Sequence, residues 1–276
     1  MDTLSGDTSK NRISVISLTT DFGLSDEYVG VMKAVMLRHA PLPPIVDLCH
    51  HIGPQNILQA AFLLSDSFRY FPDSTLHVVV VDPGVGTDRK ILLVKACGHF
   101  FLAPDNGVLS FLPLQDISTA IRQVTNRDLF LCPLSNTFHG RDIFAPVAGA
   151  LGAGMSPAAV GPQITGDTVR RIALPAPELA AAGKSLTGVV IGVDHFGNLR
   201  TNIHHRDLAS LASEPDNIQV RIGGASIVGL SASYGDHRPG SLVALIGSRG
   251  YLEIALSNGN AGRHLGVNAG QSVTVE

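Results

Sequence analysis

Tryptophan is absent from the 276 residues, cysteine occurs three times, and charged residues supply only 16% of the chain. Each shortage excludes a class of protein. Cys49, Cys97 and Cys132 are too few and too scattered for a disulfide framework, and no C-x-x-C pair marks a cysteine zinc site. Their expected place is that of small core hydrophobes in a reducing compartment. The 20 Lys plus Arg against 23 Asp plus Glu leave a net charge of −3, which offers no basic surface to nucleic acid. No stretch reaches the roughly 18 unbroken apolar residues of a membrane span, because glycine, proline or charge interrupts every run. Residues 1 to 12 lack the apolar core of a signal peptide and read as a loose polar tail, so a cytoplasmic location is expected.

Two cofactor signatures are also missing. No G-x-G-x-x-G follows the first expected strand, and Gly183-Lys184-Ser185 is no phosphate loop, because Glu178 stands where that pattern needs glycine. His50-His51 beside Asp47, and His204-His205 beside Asp207, are the candidate metal pairs. Adjacent histidines seldom converge on one ion without further ligands, so no metal is expected.

What the chain does have is 45% hydrophobic residues, enough for one large domain or two smaller ones, and 29 glycines with 16 prolines, which imply many tight turns. Ile13 to Leu18 reads as a buried strand running into the polar turn Thr19-Thr20-Asp21-Phe22-Gly23. A helix follows, with Ser25 as expected N-cap and Tyr28, Val31, Met32, Val35 and Met36 on one face, stopped by Pro41. Ile45 to Leu48 is a short strand. Asn56 to Phe71 carries Leu58, Ala61, Phe62 and Ser65 at helical spacing, Leu76 to Val81 is strongly β, and a further helix follows Gly140. Strands alternating with helices predict a largely parallel sheet covered on both faces.

From Leu174 to Gly183 the texture turns to Ala, Pro and Gly, a linker. Beyond it, Leu186–Val193, Ile218–Ile222, Ala225–Leu230, Leu242–Ile246 and Tyr251–Leu256 read as short strands punctuated by glycine. The expectation is therefore an N-terminal α/β domain over 13–175 and a smaller all-β domain over 185–276.

The densest polar constellation is Val81 to Arg89, VDPGVGTDR, where an apolar strand delivers Asp82 to its carboxyl end, the edge at which parallel sheets bind ligands. Asp82 and Arg89 can meet across the turn, which would hold the carboxylate ionised and oriented. Spacing alone fits equally well an Asp82 that caps a turn and a solvated Arg89. Asn136 to Asp142 adds an imidazole, His139, just before a helix; a lone histidine there is more often structural. Asp21, at the end of the first strand, suits a ribose diol or a simple turn. Asp194-His195-Phe196-Gly197-Asn198 and Gly247-Ser248-Arg249-Gly250 interrupt strands as polar clusters or plain hairpin loops.

Taken in order, TTDFG, VDPGVGTDR, APDNG, TFHGRDIFAP, DHFGNLRTNI and GSRGYLEIA resemble, almost end to end over residues 13 to 270, the S-adenosyl-L-methionine hydrolases, also called SAM hydroxide adenosyltransferases, relatives of the fluorinase and chlorinase. The resemblance implies a smaller C-terminal barrel-like domain and a homotrimer with its sites between subunits. It implies that Asp82, Arg89 and His139 activate water, that Asp21 holds the ribose hydroxyls, and that Asp194 and Asn198 meet the methionine ammonium and carboxylate region. Ser248 and Arg249 would meet the carboxylate, and backbone groups near Asn260 and Ala261 would read the adenine edge. No cofactor is implied, since S-adenosyl-L-methionine is the substrate. The halogenases carry tyrosine at the position of Asp82, Tyr-Ser in place of His139-Gly140, and tryptophan where Gln55 stands, so water is the expected nucleophile. Two alternatives remain: a binding protein without turnover, and a halogenase. A metal-dependent nucleoside hydrolase would need a D-x-D-x-x-x-D-D cluster that this chain lacks.

Overall fold

The computed structural model describes residues 12–276 apart from 182, 210 and 212–216, so all but the last residue of the expected polar tail lies outside the described residues. The chain divides into two compact units, one ending at Leu174 and one beginning at Pro175. Among the described residues no helix is long and apolar enough to cross a membrane.

The first unit runs β1 (Ile16–Thr20), α1 (Tyr28–Leu37), β2 (Ile45–Cys49), α2 (Ile57–Ser67), β3 (Leu76–Val80), β4 (Ile91–Ala96), β5 (His99–Pro104), β6 (Ala120–Gln123), α3 (Ala145–Gly152) and β7 (Gln163–Ile164). Its sheet has the order β2-β1-β3-β5-β4-β6-β7. The strands β2, β1, β3 and β5 are mutually parallel, while β4, β6 and β7 add antiparallel pairs. The change of direction comes from the tight β4–β5 hairpin at Cys97-Gly98, where a two-residue connection leaves no room for a crossover. Alternation along β3 sends Leu76, Val78 and Val80 into one core cluster, and Val79, with the following Val81, into the other. Burial on both faces is why this strand reads as an unbroken apolar run.

Several local expectations shift. Ser25 does not cap α1; the N-cap is Glu27, which makes no side-chain cap bond, and Ser25 lies a further two residues back, too far to reach the first free amides. The helix buries Val29, Met32, Val35 and Met36, so Tyr28 and Val31 rotate off the core stripe. In α2, Asn56 caps the helix by accepting from the Gln59 amide at 2.9 Å. The buried face is Ala60, Ala61 and Leu64, because the apolar residues of this helix run around it and periodicity selects no single stripe. Cys49 is half-buried and Cys97 and Cys132 are exposed, which corrects their expected core placement: Cys97 sits in a hairpin turn and Cys132 in a loop before Pro133.

The second unit is an antiparallel, nearly closed barrel-like sheet. It comprises β8 (Glu178–Leu179), β9 (Leu186–Val193), β10 (Leu199–His204), the single turn α4 (His205–Leu208), β11 (Gln219–Ile222), β12 (Ala225–Val228), β13 (Leu242–Ile246), β14 (Tyr251–Leu256), α5 (Ala261–Leu265) and β15 (Ser272–Val275). The strand order is β12-β11-β15-β9-β10-β14-β13, with β8 paired to β9. Three strands have no counterpart in the sequence pattern: β8, which lies in the expected linker, β10 and β15. In β10 the pattern is broken by buried polar residues whose partners are remote in sequence: Thr201 donates to the Leu252 carbonyl at 2.8 Å, and Asn202 accepts from the Val189 amide at 2.7 Å.

One buried group sets an acid limit on the first unit. His77 on β3 is fully buried, its Nδ1 lies 2.7 Å from the Ser17 hydroxyl, and burial together with the neighbouring His99 pushes its pKa down to about 3. An unfolded histidine takes its proton near 6.5, so native stability is lost as pH falls from about 6.5 toward 3. Melting temperature between pH 7 and pH 4 should therefore fall less steeply in His77→Gln than in the unaltered chain; equal slopes would contradict this.

Candidate active site

In the parallel half of the first sheet Thr20 pairs with Val80, so the residues that follow β1 and β3 emerge at the same carboxyl edge. Asp21 comes from the first and Asp82 from the second. The turn after Asp82 closes with the Val85 amide donating to the Asp82 carbonyl and the Thr87 amide to the Gly84 carbonyl, both at 3.2 Å. This turn brings Arg89 back onto the carboxylate: Nε donates to the two oxygens at 2.8 and 3.0 Å, and Nη2 also donates to Oδ2. Both side chains are almost fully buried, 4% exposed for Asp82 and 5% for Arg89. Asn106, from the APDNG segment, donates to the Val81 carbonyl at 2.8 Å and fixes the strand end.

Gly86 joins this turn to the second constellation. Its φ is +80°, and a Cβ there would stand 2.3 Å from the Asn136 carbonyl oxygen, so only glycine admits the close approach. Three residues on, His139 precedes a π-helical turn, Gly140–Phe144, that leads into α3; such turns recur at functional sites. The His139 Nδ1 lies 2.7 Å from Arg89 Nη2. A guanidinium donates and never accepts, so Nδ1 must be the acceptor, and neutral His139 carries its proton on Nε2. Burial, and then the Arg89 charge, hold its pKa below the ordinary imidazole value against the opposing pull of Asp82 and Asp142.

Asp82 and His139 line a cavity of about 390 Å³ that also takes in Asp21, Gln55, Tyr28 and Phe138. The Asp21 Oδ2 accepts from the Gln55 amide at 2.7 Å, leaving Oδ1 for a ligand. Gln55 holds a left-handed φ of 63°, uncommon for a residue with a side chain and a feature that clusters at ligand sites.

Asp194, Asn198, Ser248 and Arg249 line a cavity of about 660 Å³ in the second unit. Asp194 Oδ1 accepts from the Phe196 and Asn198 amides, each at 2.9 Å, and Oδ2 from the Asn198 side chain at 3.1 Å. Gly197 in this loop has a φ of +90° and is pressed against Asn260, 2.1 Å from where its Cβ would be. Asn260 caps α5 by accepting from the Arg263 amide at 2.8 Å, and Ala261 is fully buried. Tyr234 and Glu253, joined at 2.7 Å, line the cavity as well and were not singled out from sequence. Burial and then the Glu253 bond push the Tyr234 pKa up to about 12. A glutamate inside the apolar strand β14 was the available signal.

The candidate metal pairs have other partners. His50 Nδ1 lies 2.9 Å from the Thr20 hydroxyl and its Nε2 3.1 Å from Asp47, while His204 and Asp207 cap α4. Among the described residues no group of three or more His, Cys, Asp or Glu converges as a metal site.

The Asp82–Arg89 pair also bears on stability, because removing one partner strands a buried charge, at a cost of about 3–5 kcal/mol. Arg89→Ala should lower the unfolding free energy by about that amount in urea titration, and adding Asp82→Ala should restore part of it; a loss below about 1 kcal/mol would show the carboxylate to be solvated.

Comparison with known proteins bears directly on this arrangement. The SAM hydroxide adenosyltransferase N-terminal domain matches residues 16–161, and the C-terminal domain of the same family matches residues 188–274. A protein of Salinispora tropica named (R)-S-adenosyl-L-methionine hydrolase is 36% identical over 94% of this chain and 97% of its own. One of the same name from Thermus thermophilus is 35% identical, covering 92% and 96%. Fluorinases are more distant, that of Nocardia brasiliensis being 27% identical. The crystal structure of an uncharacterized conserved protein from Thermotoga maritima superposes with a TM-score of 0.85 at 37% identity, covering 94% of this chain and 99% of that one. With both domain matches in order and relatives above 30% identity over nearly its whole length, the chain belongs to the SAM hydroxide adenosyltransferase family.

Proposed function

We propose that the protein is an S-adenosyl-L-methionine hydrolase, converting S-adenosyl-L-methionine and water to adenosine, L-methionine and a proton by attack at the ribose C5′. The observation that carries this reading is the Asp82–Arg89–His139 arrangement on the wall of a cavity that also holds Asp21. The relatives' names specify the (R) form at sulfur, and the same substrate form is proposed here.

The chemistry asks little beyond placing and deprotonating water. The sulfonium leaves as a neutral thioether, so no acid has to protonate it. Water held about 3–3.5 Å from C5′, opposite sulfur, gains several kcal/mol from positioning alone. His139, its Nδ1 taken by Arg89, would offer its Nε2–H to the water oxygen and aim the water's lone pair at carbon. Asp82 accepts the proton as the bond forms, and Arg89 keeps that carboxylate oriented. Asp21 receives the ribose diol, and the cavity of Asp194, Asn198, Ser248 and Arg249 receives the methionine end, with backbone near Asn260 and Ala261 at the adenine edge. A homotrimer with sites at subunit interfaces completes the proposal, supported by the family resemblance.

Halide attack is disfavoured by one specific observation: a carboxylate, Asp82, lines the cavity where the halogenases carry tyrosine, and it repels an anion while attracting a sulfonium.

With this assignment, Asp82→Asn should lower kcat about 10²- to 10⁴-fold, the usual cost of losing a general base. His139→Gln, which can still donate, should lose less than His139→Ala. Product analysis should show adenosine and methionine; unchanged kcat in folded Asp82→Asn would refute the base, and intact substrate would make the protein a binder. In mixed assemblies, inactive His139→Ala and Arg249→Ala chains should regain part of the activity if subunits share sites, whereas no recovery after verified mixing would rule sharing out.

A further inference from the structure

The wall of the first cavity carries aromatic rings that the water-activating groups do not use. Phe22, Tyr28 and Phe138 form a closed trio, with ring centroids 5.6 Å apart for Phe22–Tyr28, 5.8 Å for Phe22–Phe138 and 5.0 Å for Tyr28–Phe138. All three line the cavity that holds Asp21, Asp82 and His139. Two of the contacts are edge-to-face, at 77° and 84°, an arrangement that leaves ring faces free instead of stacking them against one another.

Tyr28 is the ring that packing does not explain. It opens α1, yet the core stripe of that helix is Val29, Met32, Val35 and Met36, and Tyr28 remains 40% exposed. Phe22 and Phe138, by contrast, pack partly against the core. Phe138 already has a cation beside it, the Arg141 guanidinium 5.4 Å from its centroid. Among the described residues no such cation lies over Tyr28. A large ring held at the mouth of a cavity by two other rings, next to two carboxylates, is the setting in which an onium ion is recognised: the π face supplies electrostatic attraction without a hydrogen-bond acceptor, and a sulfonium has no proton to donate.

We propose that Tyr28, steadied by Phe22 and Phe138, is a specificity-determining residue that reads the positive charge of the substrate's sulfonium. This rests on the hydrolase reading above and extends it to how substrate is told from neutral thioethers. Attack at C5′ turns the sulfonium into a thioether, so the attraction vanishes with the reaction and methionine is released from a site that no longer holds its charge. Carboxylates alone would attract any cation. The ring trio adds a preference for one that is poorly hydrated and apolar in shape.

The test compares two unreactive ligands by isothermal titration: S-adenosylhomocysteine, a neutral thioether, and the aza analogue in which a protonated N-methyl tertiary amine nitrogen replaces the sulfonium sulfur. Tyr28→Leu should weaken the charged ligand about fivefold to thirtyfold, the range of a desolvated cation–π contact, and change the thioether by less than about twofold. Tyr28→Phe should keep the preference, and fluorinated tyrosines at position 28, which drain the ring face without changing its size, should lower it stepwise. Parallel weakening of both ligands, or no response to fluorination, would overturn the proposal. An unaltered protein that binds neither ligand would instead overturn the hydrolase reading itself.

Discussion

A single guanidinium governs the first cavity. Arg89 donates to both oxygens of Asp82 and to Nδ1 of His139, and it can do nothing but donate. Two consequences follow from that one-sided chemistry. Asp82, only 4% exposed, is bonded through both of its oxygens to its countercharge. His139, with its Nδ1 lone pair occupied, is left with a proton on Nε2. The same fork therefore leaves one neighbour a hydrogen-bond acceptor and the other a donor. The backbone is shaped around it: Gly86 lets the Asn136 carbonyl approach to a distance no side chain would permit, and that approach brings the His139 segment within reach of Arg89.

The charges suit the substrate rather than a charged nucleophile. Asp21 and Asp82 line the first cavity, and Asp194 and Glu253 the second, so each cavity carries carboxylates on its wall. Water, being neutral, enters such a cavity without repulsion, and the reaction exchanges the positive charge of the sulfonium for a released proton. The fluorinases are more distant relatives, 27% identical in the case of the Nocardia brasiliensis protein.

Much of this was legible in the sequence because strand ends carry it. An apolar run followed by a lone aspartate places Asp21 and Asp82 at a sheet edge, and six motifs in order identify the family. Other features depend on partners remote in the chain. The β10 strand hides because Thr201 and Asn202 are buried by bonds to Leu252 and Val189, which no local pattern reveals. The antiparallel half of the first sheet follows from a two-residue hairpin at Cys97-Gly98, not from hydrophobic period. Tyr28 fits the apolar stripe of α1 by spacing, yet the helix settles its core contact one residue later, on Val29, and turns the ring toward the cavity. The tautomer of His139 is the least legible of all, since it depends on which atom of Arg89, fifty residues earlier, stands beside it.

That tautomer is also where the account is most directly tested. Nitrogen-15 NMR of protein labelled at histidine, with His139 assigned by substitution, reports each ring nitrogen separately at neutral pH. The Arg89 bond requires an unprotonated Nδ1 and a protonated Nε2, with the charged form gained only below the ordinary imidazole range. A proton on Nδ1, or an imidazolium at pH 7, would mean that Arg89 does not hold the ring as described, and the assignment of Asp82 as base would fall with it.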